Sequence, residues 1–152
     1  MIKSICEQIK PELTAFLDLL KDNYVEECFA YDIEDGWYSE DTYIFEVSGY
    51  YKNEIKPDEK TSFIMLRMYI NCKFKQFQIS NIFLPLFMRY NGIGKTIIHK
   101  IFLISEKEQY ELYIVDMVNS FYNRMIARGA LPCTNCNDAV KIVKNTNLNS
   151  SK

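Results

Sequence analysis

Two glycines and two basic residues lie close together in one short segment, Arg89-Tyr90-Asn91-Gly92-Ile93-Gly94-Lys95. A strand-like run precedes the segment and a helical pattern follows it. Because glycine has no Cβ, Gly92 and Gly94 allow backbone N–H groups to approach a ligand at the positive end of the helix dipole. Arg89 and Lys95 add fixed positive charge. This combination predicts an anion-binding site, and a pyrophosphate is a natural ligand for such a helix start.

The run Gly92-Ile93-Gly94-Lys95-Thr96 is similar to the end of the phosphate-binding loop of nucleotide hydrolases. That loop requires a glycine five residues before Gly94, where this sequence has Arg89. It also belongs to a parallel sheet with several strands still to follow, and only 58 residues follow Gly94. We therefore do not expect a nucleotide hydrolase.

The N-terminal part of the chain is predicted to be helical. Apolar residues recur at steps of three and four from Ile2 to Leu20, and Pro11 should break this helix or restart it. Residues 22–42 are acidic and aromatic, with Asp35-Gly36 as a turn signal. We interpret them as a short helix and a loop.

The rest of the chain alternates between strand and helix patterns. An antiparallel meander of three strands is predicted at 42–51, 62–73 and 75–84. After a loop at 86–92, the patterns predict a helix over 93–109, a strand over 111–115, a helix over 119–128 and a strand over 139–143. Gly129 should end the second of these helices.

These elements predict an α+β fold with a mixed, mostly antiparallel central sheet flanked by helices. The length of 152 residues suits one domain spanning 1–152. Residues 1–41 form its helical N-terminal part, and residues 144–152 form a polar tail that should fray.

Composition excludes some classes of protein. Hydrophobic residues make up 48% of the chain and charged residues 25%, as in ordinary globular domains rather than disordered ones. Uncharged apolar runs of about 18 residues are absent from the sequence, and Glu7 and Lys10 interrupt any apolar segment near the N-terminus. We expect a cytoplasmic protein that does not enter the membrane.

Charge is divided unevenly along the chain. Residues 1–60 hold 6 basic and 15 acidic residues, a net of −9, whereas residues 61–152 hold 12 and 5, a net of +7. Nine acids and no basic residue lie between Lys21 and Lys52. One interpretation is a solvated acidic surface, and the other is a field that attracts a cationic substrate while the basic half receives an anionic cofactor. The sequence shows no strong signal for nucleic-acid binding.

The five cysteines are scattered and odd in number, which predicts free thiols in a reducing compartment. Cys133 and Cys136 form a single CxxC pair, and His99 is the one histidine. A structural zinc site needs four ligands, so we predict no metal site. His99 is expected to be a core or surface residue.

The segment Arg89-Tyr90-Asn91-Gly92-Ile93-Gly94 resembles the Arg/Gln-x-x-Gly-x-Gly/Ala signature of the GNAT family of N-acetyltransferases. In that family the loop and the following helix start bind the pyrophosphate of coenzyme A. The resemblance implies acetyl-CoA as co-substrate, with residues 89–95 as its binding loop. It also implies that backbone groups around Leu84 and Leu86 hold the pantetheine arm and polarise the thioester carbonyl.

A second segment, from Ser120 to Ala130, is similar to the family's C-terminal segment that contains a tyrosine. In many members this tyrosine protonates the departing thiolate, so the resemblance implies Tyr122 as general acid. Seven positions separate Tyr122 from Gly129, about one helical turn more than usual, and a packed core tyrosine is the alternative. Glu46, Asp116 and relayed water are the candidates for the general base.

The resemblance thus implies a GNAT-like N-acetyltransferase in which an amine attacks acetyl-CoA directly in a ternary complex. A catalytically silent acyl-CoA-binding or interaction module on the same fold is the alternative. The sequence does not identify the amine, although the acidic run favours a cationic one, and a homodimer is an open alternative for assembly.

Overall fold

The computed structural model describes residues 2–149, which form three α-helices, seven β-strands and one 3₁₀ turn. In chain order these are α1 (Ile2–Asn23), β1 (Ala30–Trp37), β2 (Thr42–Lys52), β3 (Lys60–Asn71), β4 (Gln76–Ile82), the 3₁₀ turn (Leu86–Met88), α2 (Ile93–Lys107), β5 (Glu111–Ile114), α3 (Asn119–Ala127), β6 (Leu131–Pro132) and β7 (Val140–Ile142).

The seven described strands form one sheet in the order β1-β2-β3-β4-β5-β7-β6. Every neighbouring pair is antiparallel except β4 and β5, which are parallel. A parallel pair requires a crossover connection, and α2 supplies it. The predicted α+β class with a mostly antiparallel sheet is confirmed, and the three strands of the predicted meander match β2, β3 and β4 closely.

The core lies between one face of the sheet and the helices. Directly opposed residues across five strands, Phe45, Met68, Ile79, Ile114 and Val140, point to this face and are all buried. Apolar residues of all three helices join the same core cluster. Removing these side chains from water is the main source of stability.

The opposite face of the sheet is accessible to solvent. Tyr69, Gln78, Tyr113 and Lys141 are directly opposed across four strands, and each is partly exposed. An antiparallel sheet commonly buries one face and solvates the other, which explains the alternation that predicted these strands.

Helix α1 continues through Pro11, so the predicted break there is wrong. Pro11 lies on the exposed side of α1, whereas Ile9 and Leu13 on either side of it are buried. A proline inside a helix costs one hydrogen bond and creates a local clash, about 3 kcal/mol. Burial of the apolar stripe of α1 against the sheet offsets this cost.

The predicted short helix and loop at 22–42 is also wrong, because eight of these residues form strand β1, which pairs with β2 from Ala30 to Trp37. Acidic residues obscured the alternation, since Asp35 faces α1 rather than solvent. Its carboxylate lies 2.8 Å from Lys10 Nζ and accepts a hydrogen bond of 2.7 Å from Tyr43 Oη. Residues 1–41 are therefore helix plus edge strand.

The contacts of Asp35 with Lys10 and Tyr43 shift the pKa values of Asp35 and Tyr43. Burial alone would raise the pKa of Asp35, but hydrogen bonds from Lys10 and Tyr43 and the charge of Lys10 outweigh it and lower the pKa. The hydrogen bond to Asp35, with burial, raises the pKa of Tyr43 to about 12. Because the carboxyl pKa is lowered, Asp35 stabilises the fold at neutral pH and loses this effect as pH falls through its folded-state pKa.

The C-terminal segment packs onto the end of α3, so the prediction of a frayed tail is wrong for its described part. Thr146 and Leu148 are buried, and the Asn147 N–H donates to the Arg128 carbonyl at 2.7 Å. Residues 150–152 of the predicted tail lie outside the described residues. The short strand β6, which pairs with β7, was not predicted because two residues carry no periodic signal.

None of the helices within residues 2–149 combines the length and the apolar character that a membrane crossing requires.

Gly49 is expected to be essential for packing in β2. A Cβ at this position would overlap the tip of the Phe63 ring, which packs against the rings of Tyr51 and Phe83. We expect Gly49→Ala to lower the free energy of unfolding by about 1–3 kcal/mol, as overpacked cores do. Urea denaturation would measure the loss.

Gly36→Ala is the matched control, because a Cβ there has no atom within 4 Å and the backbone is not left-handed. Its free energy of unfolding should stay within about 0.5 kcal/mol of the parent. An equal loss for the two variants would show that ring contact at Gly49 is not the cause.

Candidate functional site

Strands β4 and β5 separate at one end of the sheet. Their pairing stops at Ile79 opposite Ile114, while β4 continues to Ile82 paired only with β3. Beyond β5 the chain turns away, and the Met117 N–H donates to the Asp138 carbonyl at 2.8 Å. The Val115 N–H still donates to the Ile79 carbonyl at 2.8 Å. We call the gap that follows, between residues 80–84 and 116–117, the strand opening.

Backbone groups at the end of β4 face this opening. The Phe83 N–H donates to the Met65 carbonyl on β3 at 3.0 Å. Since successive N–H groups of an extended strand point in opposite directions, the Leu84 N–H points away from β3. Within residues 2–149 neither the Leu84 N–H nor the Leu86 N–H has a hydrogen-bond acceptor. Both remain available to a ligand.

Arg89 folds back onto the end of β4. Its Nε donates to the Leu84 carbonyl at 2.8 Å, and its guanidinium lies 5.4 Å from the centre of the Phe83 ring. The Arg89 side chain is exposed, so its remaining N–H groups face solvent next to the loop. These contacts hold a permanent positive charge at the mouth of the strand opening.

The loop between Arg89 and α2 contains two left-handed residues. Gly92 has φ 74°, which suits glycine, whereas Tyr90 has φ 68°, a conformation that costs a side-chain-bearing residue about 1 kcal/mol or more. Asn91 anchors the loop, because its Nδ2 donates to Tyr24 Oη at 3.1 Å. The Tyr90 side chain is 93% exposed, so it has no packing role.

Helix α2 begins at Ile93 without a side-chain cap. The carbonyl of the N-cap residue Gly92 accepts bonds from the Thr96 N–H at 3.0 Å and Thr96 Oγ1 at 2.8 Å. The N–H groups of Ile93, Gly94 and Lys95 have no partner within the helix. These donors and the helix dipole together suit an anionic ligand.

Gly94 is where the start of α2 meets the end of β4. A Cβ at Gly94 would lie 3.8 Å from Ile82 Cδ1 and 4.0 Å from Leu84 Cδ1, which is ordinary van der Waals contact. The helix start is thus fixed directly above the strand opening. A methyl group fits at Gly94, whereas a carboxylate there would place a negative charge at the start of α2.

A third cation joins Arg89 and Lys95. Burial and the nearby Arg128 guanidinium both lower the pKa of Lys95. Arg128 lies at the C-terminal end of α3, where its Nη1 donates to the Asn147 carbonyl at 3.1 Å. The sequence analysis missed Arg128, because 33 residues separate it from Lys95 and only the packing of α3 brings it near.

Tyr122 lies in the first turns of α3, the helix that begins after β5. Because β5 is parallel to β4, α3 begins at the end of the sheet that holds the strand opening. Tyr122 is partly exposed and packs at the border of the core, and its hydroxyl has no hydrogen-bond partner among residues 2–149. Tyr122 Oη is therefore available to solvent or to a ligand.

The two carboxylates considered as bases are in different situations. Glu46 Oε2 accepts a hydrogen bond of 2.6 Å from Arg67 Nε on the solvent face of the sheet. Asp116 is exposed, its backbone is in the left-handed region with φ 55°, and it borders the strand opening. Asp116 is thus the better placed of the two. His99 is exposed on α2, away from the helix start.

Metal ligation finds no support in the described part of the chain. No three His, Cys, Asp or Glu side chains within residues 2–149 come close enough together to hold an ion. All five cysteines are free thiols. Cys133 and Cys136 lie in the turn between β6 and β7, where burial raises the pKa of Cys133.

A cavity of about 180 Å³ lies beside the loop, between α1 and the start of α2. Its lining includes Tyr24, Asn91, Ile93 and Thr96. The structure thus gathers Leu84, Leu86 and residues 89–95 at one end of the sheet, with Tyr122 on a helix that starts at the same end.

No protein-family model matches the chain, and neither the curated proteins nor the solved structures include a significant match.

The loop geometry generates a binding prediction for the start of α2. We expect Gly94→Glu to abolish binding of coenzyme A, because the added side chain fills the space before the free N–H groups and repels phosphate. Isothermal titration calorimetry with coenzyme A would measure the loss, and circular dichroism would verify folding.

Gly94→Ala is the matched control. Its Cβ meets Ile82 and Leu84 only at ordinary contact distance, so folding and affinity should be retained within about threefold. Unchanged affinity in a folded Gly94→Glu variant would contradict the assignment of this site.

Proposed function

We propose that this protein is an N-acetyltransferase that moves an acetyl or other acyl group from acetyl-CoA to an amine. The observation that carries the proposal is the position of an uncapped helix start above unpaired strand backbone. Ile93, Gly94 and Lys95 offer N–H donors to a pyrophosphate, while Leu84 and Leu86 offer N–H donors nearby at the strand opening.

The residues present fit coenzyme A chemically. The N–H groups at the start of α2, with Arg89 and Lys95, would hold the pyrophosphate through charge-assisted hydrogen bonds. Arg128 would contribute to binding a further phosphate. Tyr90 and Asn91 would shape the loop, with Asn91 held by Tyr24.

Order along the chain supports the resemblance to the GNAT signature. Residues 89–94 carry that signature, and an antiparallel meander precedes it in the structure. Helix α2, strand β5, helix α3 and the hairpin of β6 and β7 follow it. The resemblance implies a helix, a strand, a helix and a strand after the signature, and it also implies a splay beside the end of β4, where β4 and β5 separate.

The chemistry assigned to the chain is orientation and proton transfer. Holding the amine against the thioester supplies much of the rate, because it replaces a bimolecular encounter by a fixed geometry. The Leu84 N–H would stabilise the developing oxyanion. Tyr122 would give a proton to the leaving thiolate, while Asp116 or water at the strand opening would accept the proton from the amine.

A silent acyl-CoA-binding module is the second candidate. Two observations about the general base favour it. Glu46 is already paired with Arg67, and β4 has no carboxylate that could act as a base. Such a module would bind coenzyme A at the same loop and would release no thiol. Binding therefore tests the site, and turnover separates the two functions.

The direct test is a thiol-release assay with acetyl-CoA and a panel of amines: polyamines, basic peptides, amino sugars and acidic amino acids. Amine-dependent release of coenzyme A that Gly94→Glu removes would support the proposal. Tight binding of coenzyme A without release for any amine would favour the silent module. Absence of both binding and release would refute the two candidates together.

Tyr122→Phe is predicted to lower kcat by about ten- to a thousandfold, within or below the usual range for a lost general acid. Affinity for coenzyme A should barely change, since only a hydroxyl group is removed. Steady-state kinetics and calorimetry would measure the two effects. Phe121→Tyr, which keeps Tyr122 and changes its neighbour, serves as control, and an unaltered kcat in Tyr122→Phe would assign the residue to packing alone.

The acceptor is predicted to be cationic, because nine acids and no basic residue lie between Lys21 and Lys52. Asp35 and Glu46 are neutralised by ion pairs, but Glu26 and Glu27 lie in the turn at the end of the sheet that holds the strand opening. Salt screens the attraction between these carboxylates and a cationic acceptor over about 8–10 Å. The value of kcat/KM should fall as ionic strength rises; an anionic acceptor, or salt-independent kcat/KM, would contradict the prediction.

A further inference from the structure

Strand β1 forms one edge of the sheet and leaves a row of backbone groups without partners. It is eight residues long, whereas an average strand has about five or six. Its register with β2 is continuous from Ala30 to Trp37, with no bulge. Within residues 2–149 no segment other than β2 donates or accepts a backbone hydrogen bond with β1.

The hydrogen-bond ladder between β1 and β2 identifies which backbone groups of β1 point away from β2. The Tyr38 N–H donates to the Thr42 carbonyl at 2.9 Å, so this pair belongs to the hydrogen-bonded positions of the hairpin. Those positions alternate along an antiparallel ladder. The N–H and C=O groups of Tyr31, Ile33 and Asp35 therefore face the free edge, whereas those of Asp32 and Glu34 are bonded to β2.

Natural edge strands are usually protected by proline, lysine, a bulge, short length or a covering segment. β1 contains no proline, no lysine and no bulge. Two acidic residues protect it instead. The side chains of Asp32 and Glu34 are exposed on the solvent face, and neither makes an ion pair among residues 2–149. An acidic edge repels another acidic strand but accepts a basic one.

The same charges argue against a second copy of this chain as the partner. Antiparallel pairing of β1 with its own copy would bring Asp32 and Glu34 of the two strands together. Like charges on directly opposed strands are destabilising. An extended strand with Lys or Arg at alternate positions would instead place one cation beside Asp32 and the next beside Glu34.

We propose that β1 is a docking edge for an extended basic polypeptide segment, which adds to the sheet as an eighth strand. Backbone bonds to the outward groups of Tyr31, Ile33 and Asp35 supply affinity, and pairing with Asp32 and Glu34 selects Lys or Arg at alternate positions. Three strands separate this edge from β5, so the docking edge is distinct from the strand opening and independent of acyl transfer.

The test uses the full chain and a fluorescent peptide of about nine residues in which Lys alternates with Val. Fluorescence anisotropy should show binding that weakens with salt. A peptide with Glu in place of Lys should bind at least about tenfold more weakly. A Lys peptide N-methylated at alternate residues keeps its charge but lacks the pairing N–H groups, and it should also bind at least about tenfold more weakly.

Amide hydrogen exchange followed by NMR gives a readout specific to strand addition. With the Lys peptide bound, the N–H groups of Ile33 and Asp35 should exchange at least about tenfold more slowly. Those of Asp32 and Glu34 should change little, because β2 already protects them.

Charge reversal tests the selection. Asp32→Lys combined with Glu34→Lys should weaken binding of the Lys peptide by at least about tenfold and should allow the Glu peptide to bind. Glu54→Lys combined with Asp58→Lys makes the same charge change in the exposed β2–β3 loop and should have less effect.

Several results would overturn the proposal: no binding, equal binding of the N-methylated peptide, or equal effects of the two charge reversals. Sedimentation showing a dimer of this chain in which Ile33 and Asp35 are protected without peptide would also overturn it.

Discussion

One parallel pair of strands, β4 and β5, determines how the rest of the molecule is arranged. Parallel neighbours cannot be joined by a tight turn, so the chain must cross the sheet through a helix. That helix is α2, and it has to begin at the end of β4. The contact distances between Gly94 and both Ile82 and Leu84 reflect this requirement. The position of the uncapped start of α2 beside the end of β4 is therefore a consequence of topology.

The departure of β5 from β4 gives the site its open side. The Val115 N–H makes the last bond to β4, at the Ile79 carbonyl, and the Met117 N–H then donates to the Asp138 carbonyl. Among residues 2–149, the last residues of β4 therefore pair on the β3 side only. Such unpaired backbone is costly if buried and useful if a substrate completes its hydrogen bonds. The C-terminal segment contributes indirectly, since Asn147 holds Arg128 at the end of α3, where it acts on Lys95.

Acidic residues serve different purposes in different parts of the fold. Asp35 ties β1 to α1 through Lys10, and Glu46 joins β2 to β3 through Arg67. Within the described part of the chain, Asp32 and Glu34 make no ion pair at the edge of the sheet. The acidic run is thus partly structural, and its electrostatic effect on a ligand depends on the carboxylates that are left exposed. Net charge counted along the sequence overstates that effect.

Sequence alone determined the features that depend on neighbours within a few residues. The alternation of β2, β3 and β4, the helical period of α2 and α3, and the glycine loop with Arg89 and Lys95 are local patterns, so the α+β class and the glycine loop at the start of α2 could be predicted. The strand β1, the continuity of α1 through Pro11 and the packed tail could not be predicted, because partners distant in sequence stabilise them. Arg128 next to Lys95, the pairing of Glu46 with Arg67 and the separation of β4 from β5 arise only when distant segments pack. Tertiary structure decides them, because side-chain burial and backbone pairing between segments far apart in the chain outweigh local preference.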